Sequence, residues 1–271
     1  RKSAGNGLAQ INNIGLTNTA TGVIQGSGGT IRLPNGYVHS EGTLRLSSGT
    51  LTAIPTITVL GGRLEGTGGF GGSQFVGGTI SPGLNGPGSI TFHSGLQLGE
   101  AVTVALDASG PEPRTGYDQL EVQGTVSITN TVLQFTATGP IPIGTKLLVI
   151  TNDSTDTITG TFSGKPEAAL FASNLQLFRI RYAEGSGNDL AIVRDDGGVK
   201  LTGRRLLPGG QFEVRGLGTN GAIYSIYASP DVPTNSWQLL GTSTADSSGN
   251  FLFTDPNAFQ FPRRFYYSTG P

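Results

Sequence analysis

Residues 42–81 read GTLRLSSGTLTAIPTITVLGGRLEGTGGFGGSQFVGGTIS, and the fold turns on how this stretch is read. Gly42-Thr-Leu-Arg-Leu46, Thr56-Ile-Thr-Val-Leu60, Gly62-Arg-Leu-Glu65 and Gly78-Thr-Ile-Ser81 carry apolar side chains at every second position, with Gly or Gly-Gly between runs. Period two is the signature of a strand with one covered face. Outward from the stretch, Gly29-Thr-Ile-Arg-Leu33 precedes these runs and Ser89-Ile-Thr-Phe92 follows them. A strand of three to five residues cannot bury its apolar side alone. Successive strands of the same kind can, when each is laid on the last. Gly admits the positive φ that a sharp corner between such strands needs. The expectation is an all-β chain built as a β-solenoid. A β-sandwich of many short strands is the competitor, and the close spacing of the runs argues against it.

From about residue 100 the runs lengthen, over 101–107, 119–122, 126–129, 132–138 and 146–151. Runs at 175–182 and 189–193 close this section, which is expected to form broader coils or an end-covering sandwich. The single helical turn expected is 166–173 (PEAALFAS), with Pro in its first turn. Asp195-Asp196-Gly197-Gly198 reads as a boundary. It divides the chain into a solenoid over 1–196 and a module over 197–271. The module holds the single Trp, Trp237, and most of the Tyr. Five to seven antiparallel strands are expected there, as a small β-sandwich with an aromatic core.

Composition narrows the function classes. The 271 residues include 44 Gly and 15 Pro but no Cys and no Met, with 13% charged and a net charge of -1. That balance offers no electrostatic footprint for nucleic acid or an anionic membrane. No apolar run approaches the roughly 20 residues of a membrane-spanning helix. Without Cys there are no disulfides, thiolate metal sites or thiol nucleophiles. Gly lacks the three-residue period of collagen, and a 35% hydrophobic share is too high for a disordered chain. A start at Arg1 reads as a processed chain or a fragment.

Residues 61–194 resemble the autotransporter-associated β-strand repeat region of large secreted bacterial passenger proteins. The residues that carry the resemblance are Gly62-Arg-Leu-Glu-Gly-Thr-Gly-Gly-Phe70, Gly77-Gly-Thr-Ile-Ser-Pro-Gly83, Tyr117-Asp-Gln-Leu-Glu-Val-Gln-Gly124, Gly160-Thr-Phe162, and Tyr182 with Gly185-Ser-Gly-Asn-Asp-Leu190. The resemblance implies a right-handed parallel β-helix that is exported and displayed at the surface, and it does not imply an enzyme. After residue 197 about 75 residues remain, too few for the membrane barrel that ends full autotransporters. Instead Tyr224-Ser-Ile-Tyr-Ala-Ser229, Trp237, Gly249-Asn-Phe251, Asp255-Pro256 and Phe261-Pro-Arg-Arg-Phe-Tyr-Tyr267 look like the small modules that end many secreted multidomain bacterial proteins.

Chemical motifs are sparse. His39 and His93 sit in or beside strand-like runs and read as structural or surface residues. Gly66-Thr-Gly68-Gly-Phe-Gly71 matches GxGxxG, yet no helix follows to hold a pyrophosphate. Gly139-Pro-Ile-Pro-Ile-Gly144-Thr-Lys146 has the Lys and Thr of a P-loop in the wrong order. Gly185-Ser-Gly187-Asn-Asp189-Leu is half of a Ca²⁺-binding nonapeptide pair, and a Gly-rich turn is the better reading. Glu41 and Glu65 are the only acids in residues 1–99, and they fall in unrelated repeats. Asp107, Asp118 and Glu121 are the best later cluster, read as turn-forming and solvated. No catalytic, cofactor-binding or metal-ligating residue is assigned, and no cofactor is expected.

The candidate interface or ligand surface has two parts. One is the N-terminal stretch with Leu8, Ile11, Ile14 and Leu16, which as a strand can complete a neighbour's sheet. The other is the module's Tyr224, Tyr227, Trp237, Tyr266 and Tyr267, with Arg263 and Arg264. Its aromatics either stack on sugar rings or fill the core. Arg204-Arg205 and Arg263-Arg264 either pair with acids across an interface or line a solvated strand edge. The expected function is a secreted, non-enzymatic structural or adhesive protein of the bacterial exterior. Its sharper form is a fibre subunit joined head to tail with copies of itself. The second expectation is a carbohydrate-binding accessory protein for surface glycans, and the weakest is a polysaccharide lyase or hydrolase. Neither nucleic acid nor a membrane span is expected.

Overall fold

The computed structural model describes residues 5–12, 14–174, 176–195, 200–217, 221–231, 237–248 and 250–270. The chain is all-β, and the described residues contain no α-helix. It divides into two compact units, Arg1–Arg194 and Asp195–Pro271. The first contains β1 (Leu8–Gln10), β2 (Val23–Gly26), β3 (Thr30–Arg32), β4 (Val38–His39), β5 (Thr43–Thr52), β6 (Ile57–Val59), β7 (Arg63–Phe70), β8 (Gly72–Pro82) and β9 (Ser89–Phe92). It continues with β10 (Leu96–Ala108), β11 (Gln119–Val122), β12 (Val126–Thr129), β13 (Val132–Ala137), β14 (Lys146–Asn152), β15 (Thr159–Thr161), β16 (Leu170–Ser173), β17 (Gln176–Glu184) and β18 (Asp189–Asp195).

Many strands of this unit pair in parallel with strands further along the chain. Val23 lies opposite Thr43, and Thr43 opposite Arg63. Thr30 lies opposite Thr50, and Val38 opposite Thr58. Each of these steps is 20 residues long. Farther on the steps are longer: Ser89 lies opposite Gln119, Leu96 opposite Val126 and Leu120 opposite Ile150, steps of 30 residues. The strands themselves do not lengthen after residue 100 as expected: β5, β7, β8 and β10 run to 10, 8, 11 and 13 residues, whereas β11 and β12 have 4 each, because the added residues lie between strands. At the end of the unit the direction changes. β16 and β17 form an antiparallel hairpin, and β18 pairs antiparallel with β14.

Alternation puts one row of each strand inside. In β5 the inward residues include Leu44, Leu46 and Leu51, none of them exposed. They join one continuous core running from Ile31 to Ile192. Phe70, Phe75 and Phe92 meet there with ring centroids 5.7–5.9 Å apart, two of the three pairs edge to face. Such pairs add to simple area burial.

The helical turn expected over 166–173 is not formed. Its second half is β16, with Phe171 opposite Phe178 across the hairpin. Phe171 stacks on Phe178 at 6.0 Å and meets Phe135 edge-on at 6.0 Å. Packing against these rings outweighs the helix preference of Glu, Ala and Leu, which is a weak prior.

The second unit contains β19 (Lys200–Leu206), β20 (Phe212–Leu217), β21 (Ile223–Ser229), β22 (Gln238–Thr244), β23 (Asn250–Asp255), a 3₁₀ turn at Ala258–Gln260, and β24 (Phe265–Thr269). They form two antiparallel three-stranded sheets, β19-β20-β23 and β22-β21-β24. Tyr224 of one sheet stacks on Phe251 of the other at 4.6 Å, so the two sheets face each other. The expected boundary residues Asp196, Gly197 and Gly198 lie outside the described residues, as does Gly249.

Candidate functional site

The aromatic cluster of the second unit separates into an inner and an outer set, because neighbours along a strand point to opposite faces. On β21, Tyr224, Ile226 and Ala228 are buried between the sheets. Tyr224 is therefore a core residue. Tyr227 points the other way and sits opposite Tyr267 of β24. The two rings stack at 4.9 Å, and Trp237 meets Tyr267 edge-on at 4.8 Å. Trp237 and Tyr227 are half-buried and Tyr267 is exposed. Leu239 and Phe265 also stand exposed on β22 and β24. This outer face is an amphipathic aromatic strip of the kind that receives sugar rings or another apolar surface.

Tyr266 takes the opposite phase on β24. Its ring stacks on Phe212 of the facing sheet at 4.9 Å, and its hydroxyl donates to Asp255 Oδ2 at 2.9 Å. Burial and this bond raise its pKa well above the usual tyrosine value. Beside it, Arg264 corrects the expectation of a solvated edge. Its side chain is only 8% exposed, and Nη1 stands 2.8 Å from the buried Asp255 carboxylate. The guanidinium also lies over the Phe261 ring at 4.1 Å. Arg263, one residue earlier, is exposed and ion-paired with Asp231. These inner groups border a cleft of about 480 Å³ whose wall includes Leu201, Arg204, Phe212, Val214, Arg264 and Tyr266.

The N-terminal candidates belong to the first unit. Among the described residues of 8–16 only Leu8–Gln10 is a strand, and it is paired within the chain, Leu8 opposite Thr30. Ile11 and Leu16 pack half-buried against the core, while Leu8 and Ile14 are exposed.

Carboxylates that the sequence placed apart come together on the first unit. Glu65, Asp107, Arg45 and Arg63 border one polar hollow of about 450 Å³ beside the loop 81–86. Both Glu65 oxygens are occupied, one by Arg45 at 2.7 Å and the other by Arg63 at 2.8 Å. Glu65 thus braces two arginines, one from the neighbouring strand and one from its own. Asp118 is the second correction. It is not solvated but 1% exposed, accepting the backbone N–H of Gly88 and of Asp107 at 2.8 Å each. Burial pushes its pKa up to about 7, against the pull of these two bonds and with help from the nearby Asp107 charge. Glu121 pairs with Arg114 at 2.8 Å.

His39 is fully buried with Nδ1 3.3 Å from the Tyr37 hydroxyl, and burial lowers its pKa. His93 is exposed beside Gln123. In the Gly-rich turn before β18, the Asn188 amide donates to the carbonyls of Asn152, Asp153 and Ser154. Those oxygens are thereby engaged, and the turn reading accounts for the motif. Among the described residues no three His, Asp or Glu side chains converge as a metal site. No helix of the described residues is long and apolar enough to cross a membrane. No protein-family model matches the chain, and no curated protein matches it either.

Proposed function

We propose that the chain is a secreted, non-enzymatic structural and adhesive protein of the bacterial exterior, with residues 1–196 as a right-handed parallel β-helix and residues 197–271 as a small β-sandwich. The observation that supports this reading is the parallel pairing of the first unit, Val23 with Thr43, Thr43 with Arg63 and Ser89 with Gln119, around one apolar core. Such a body supplies a stiff surface of adjustable length and holds its ligands, if any, on the outside. The passenger-like motifs from Gly62 to Phe162 fall within or beside this ladder, while Tyr182 and Gly185–Leu190 lie in the antiparallel end of the unit. Assembly with copies of itself is supported by the first circuit. Among the described residues β1 pairs only with β3 and β2 only with β5, and Leu8, Ile14 and Val23 are exposed beside them. Unpaired backbone next to apolar side chains is a template for another chain. Negative-stain imaging and light scattering of the purified chain test the fibre form. Filaments or concentration-dependent growth are expected, and a monodisperse monomer at high concentration refutes it.

A second reading, glycan binding, rests on the outer aromatic strip of Tyr227, Trp237 and Tyr267. A glycan screen read through Trp237 fluorescence tests it. Saturable quenching that Tyr267→Ala abolishes is expected, and an unresponsive Trp237 across the screen refutes this reading.

A further inference from the structure

The sheets of the second unit are closed along one margin and open along the other. β22 and β23 touch where the chain passes between sheets. At the far margin, among the described residues, β19 is bonded only to β20 and β24 only to β21. The cleft of about 480 Å³ lies between these two edges. Three observations point to the same occupant. The Arg264 side chain is more than nine-tenths buried and its Nη1 is ion-paired with Asp255 at 2.8 Å, yet its Nε makes no hydrogen bond. Asp255 already balances its charge, so what the cleft lacks is an oxygen acceptor for the buried Nε–H. The two edges also differ. β19 is interrupted by a register shift between Leu201 and Gly203, whereas β24 pairs regularly from Phe265 to Thr269. A bulged edge is a poor template and a regular one a good one. Finally, Arg204 and Arg205 stand exposed on β19, and Arg204 borders the cleft. This basic rim disfavours the N-terminal stretch of a second copy as its occupant. Residues 1–22 of a second copy bring Arg1 and Lys2 and no acid.

We propose that the cleft is a receptor slot for an extended, acidic and apolar segment of another polypeptide, which adds to β24 as the fourth strand of the β22-β21-β24 sheet. Its inward apolar side chains rest on Phe212 and Val214, and an oxygen of the incoming strand accepts from Arg264. A carboxylate near its end faces Arg204. Main-chain pairing supplies the affinity and these pockets the selectivity. This goes beyond the scaffold reading and rests on the second unit alone.

The test uses the full chain, ¹⁵N-labelled, and a blocked heptapeptide alternating valine and threonine between terminal glutamates. Saturable shifts at the 265–269 amides and at the Arg264 Nε–H are expected. Arg204→Glu is expected to weaken binding about tenfold without changing Tm, as is replacing the peptide's glutamates by glutamines in the unaltered chain. No shift at millimolar peptide overturns the proposal, and so does equal binding by Arg204→Glu. Octanoate shifting the Arg264 signal where the peptide fails would make the slot a site for small amphipathic anions instead. Shifts at 265–269 that grow with protein concentration alone would assign the edge to a second copy, again overturning the proposal.

Discussion

Replacing Gly62 by Ala tests the close packing of neighbouring parallel strands most directly. Thr43, Arg63 and Thr79 lie side by side in three adjacent strands, β5, β7 and β8, so Gly42, Gly62 and Gly78 just before them also lie side by side. Their φ values are 77°, 76° and 93°. A Cβ on Gly62 falls 2.6 Å from the Gly42 carbonyl oxygen and 2.7 Å from His39 Nε2. Two costs follow. Holding an alanine in the left-handed region costs about 1–2 kcal/mol. Forcing a methyl group against backbone that cannot swing away costs about 1–3 kcal/mol more. The expected loss is therefore about 2–5 kcal/mol. Gly36 separates the two contributions, because its φ is 64° but nothing lies within 4 Å of the same added carbon. Gly36→Ala is expected to lose only the backbone share, about 1–2 kcal/mol. Urea unfolding followed by circular dichroism, with m checked for constancy, gives both values. Equal losses for the two variants would refute the reasoning, since the difference between them is the contact between neighbouring strands.

Asp118 makes stability depend on pH. Its pKa is raised in the folded chain from 3.8 to about 7, so the folded state holds its proton longer than the unfolded state does. Its contribution is full below about pH 4 and is lost as pH rises toward 7, with a slope of up to about 1.4 kcal/mol per unit. Asp118→Asn is expected to flatten urea midpoints measured between pH 4.5 and 7.5, and an unchanged profile would contradict this. Phe92→Ala opens a cavity beside Phe70 and Phe75 and is expected to cost about 3–5 kcal/mol in the same assay. A loss under 1 kcal/mol would mean that the three rings do not share one core.

Strand starts were legible because period two marks them and Gly precedes them: β5 starts after Gly42, β7 after Gly62, and Ser89-Ile-Thr-Phe92 is β9 in full. Strand lengths were not, since β5, β7 and β8 run on through their glycines to 10, 8 and 11 residues rather than the three to five expected. Residues 166–173 misled because their composition favours a helix, while what decides them is the hairpin with Phe178 and the ring of Phe135, which lies far away in sequence. Arg264 was hidden for a different reason. Arg263-Arg264-Phe265-Tyr266-Tyr267 offers large side chains in both phases of the alternation, so the run itself does not say which phase faces inward. Only the facing Phe212 and Asp255 decide it. Asp118 and the Glu65–Asp107 hollow depend on which strands become neighbours, and that follows from register rather than from local pattern.

The equal steps of 20 residues have a consequence for how such a chain changes over time. Val23 faces Thr43 and Thr43 faces Arg63, so joining Gly42 directly to Arg63 would set Val23 beside Arg63 and Ile24 beside Leu64. Every inward position would still meet an inward position, and the Gly corner would be kept. On the proposed β-helix reading, in-frame loss or duplication of such a 20-residue segment removes or adds one strand spacing of about 4.8 Å. On that reading length is a heritable quantity, adjusted one strand spacing at a time without a redesign of the core.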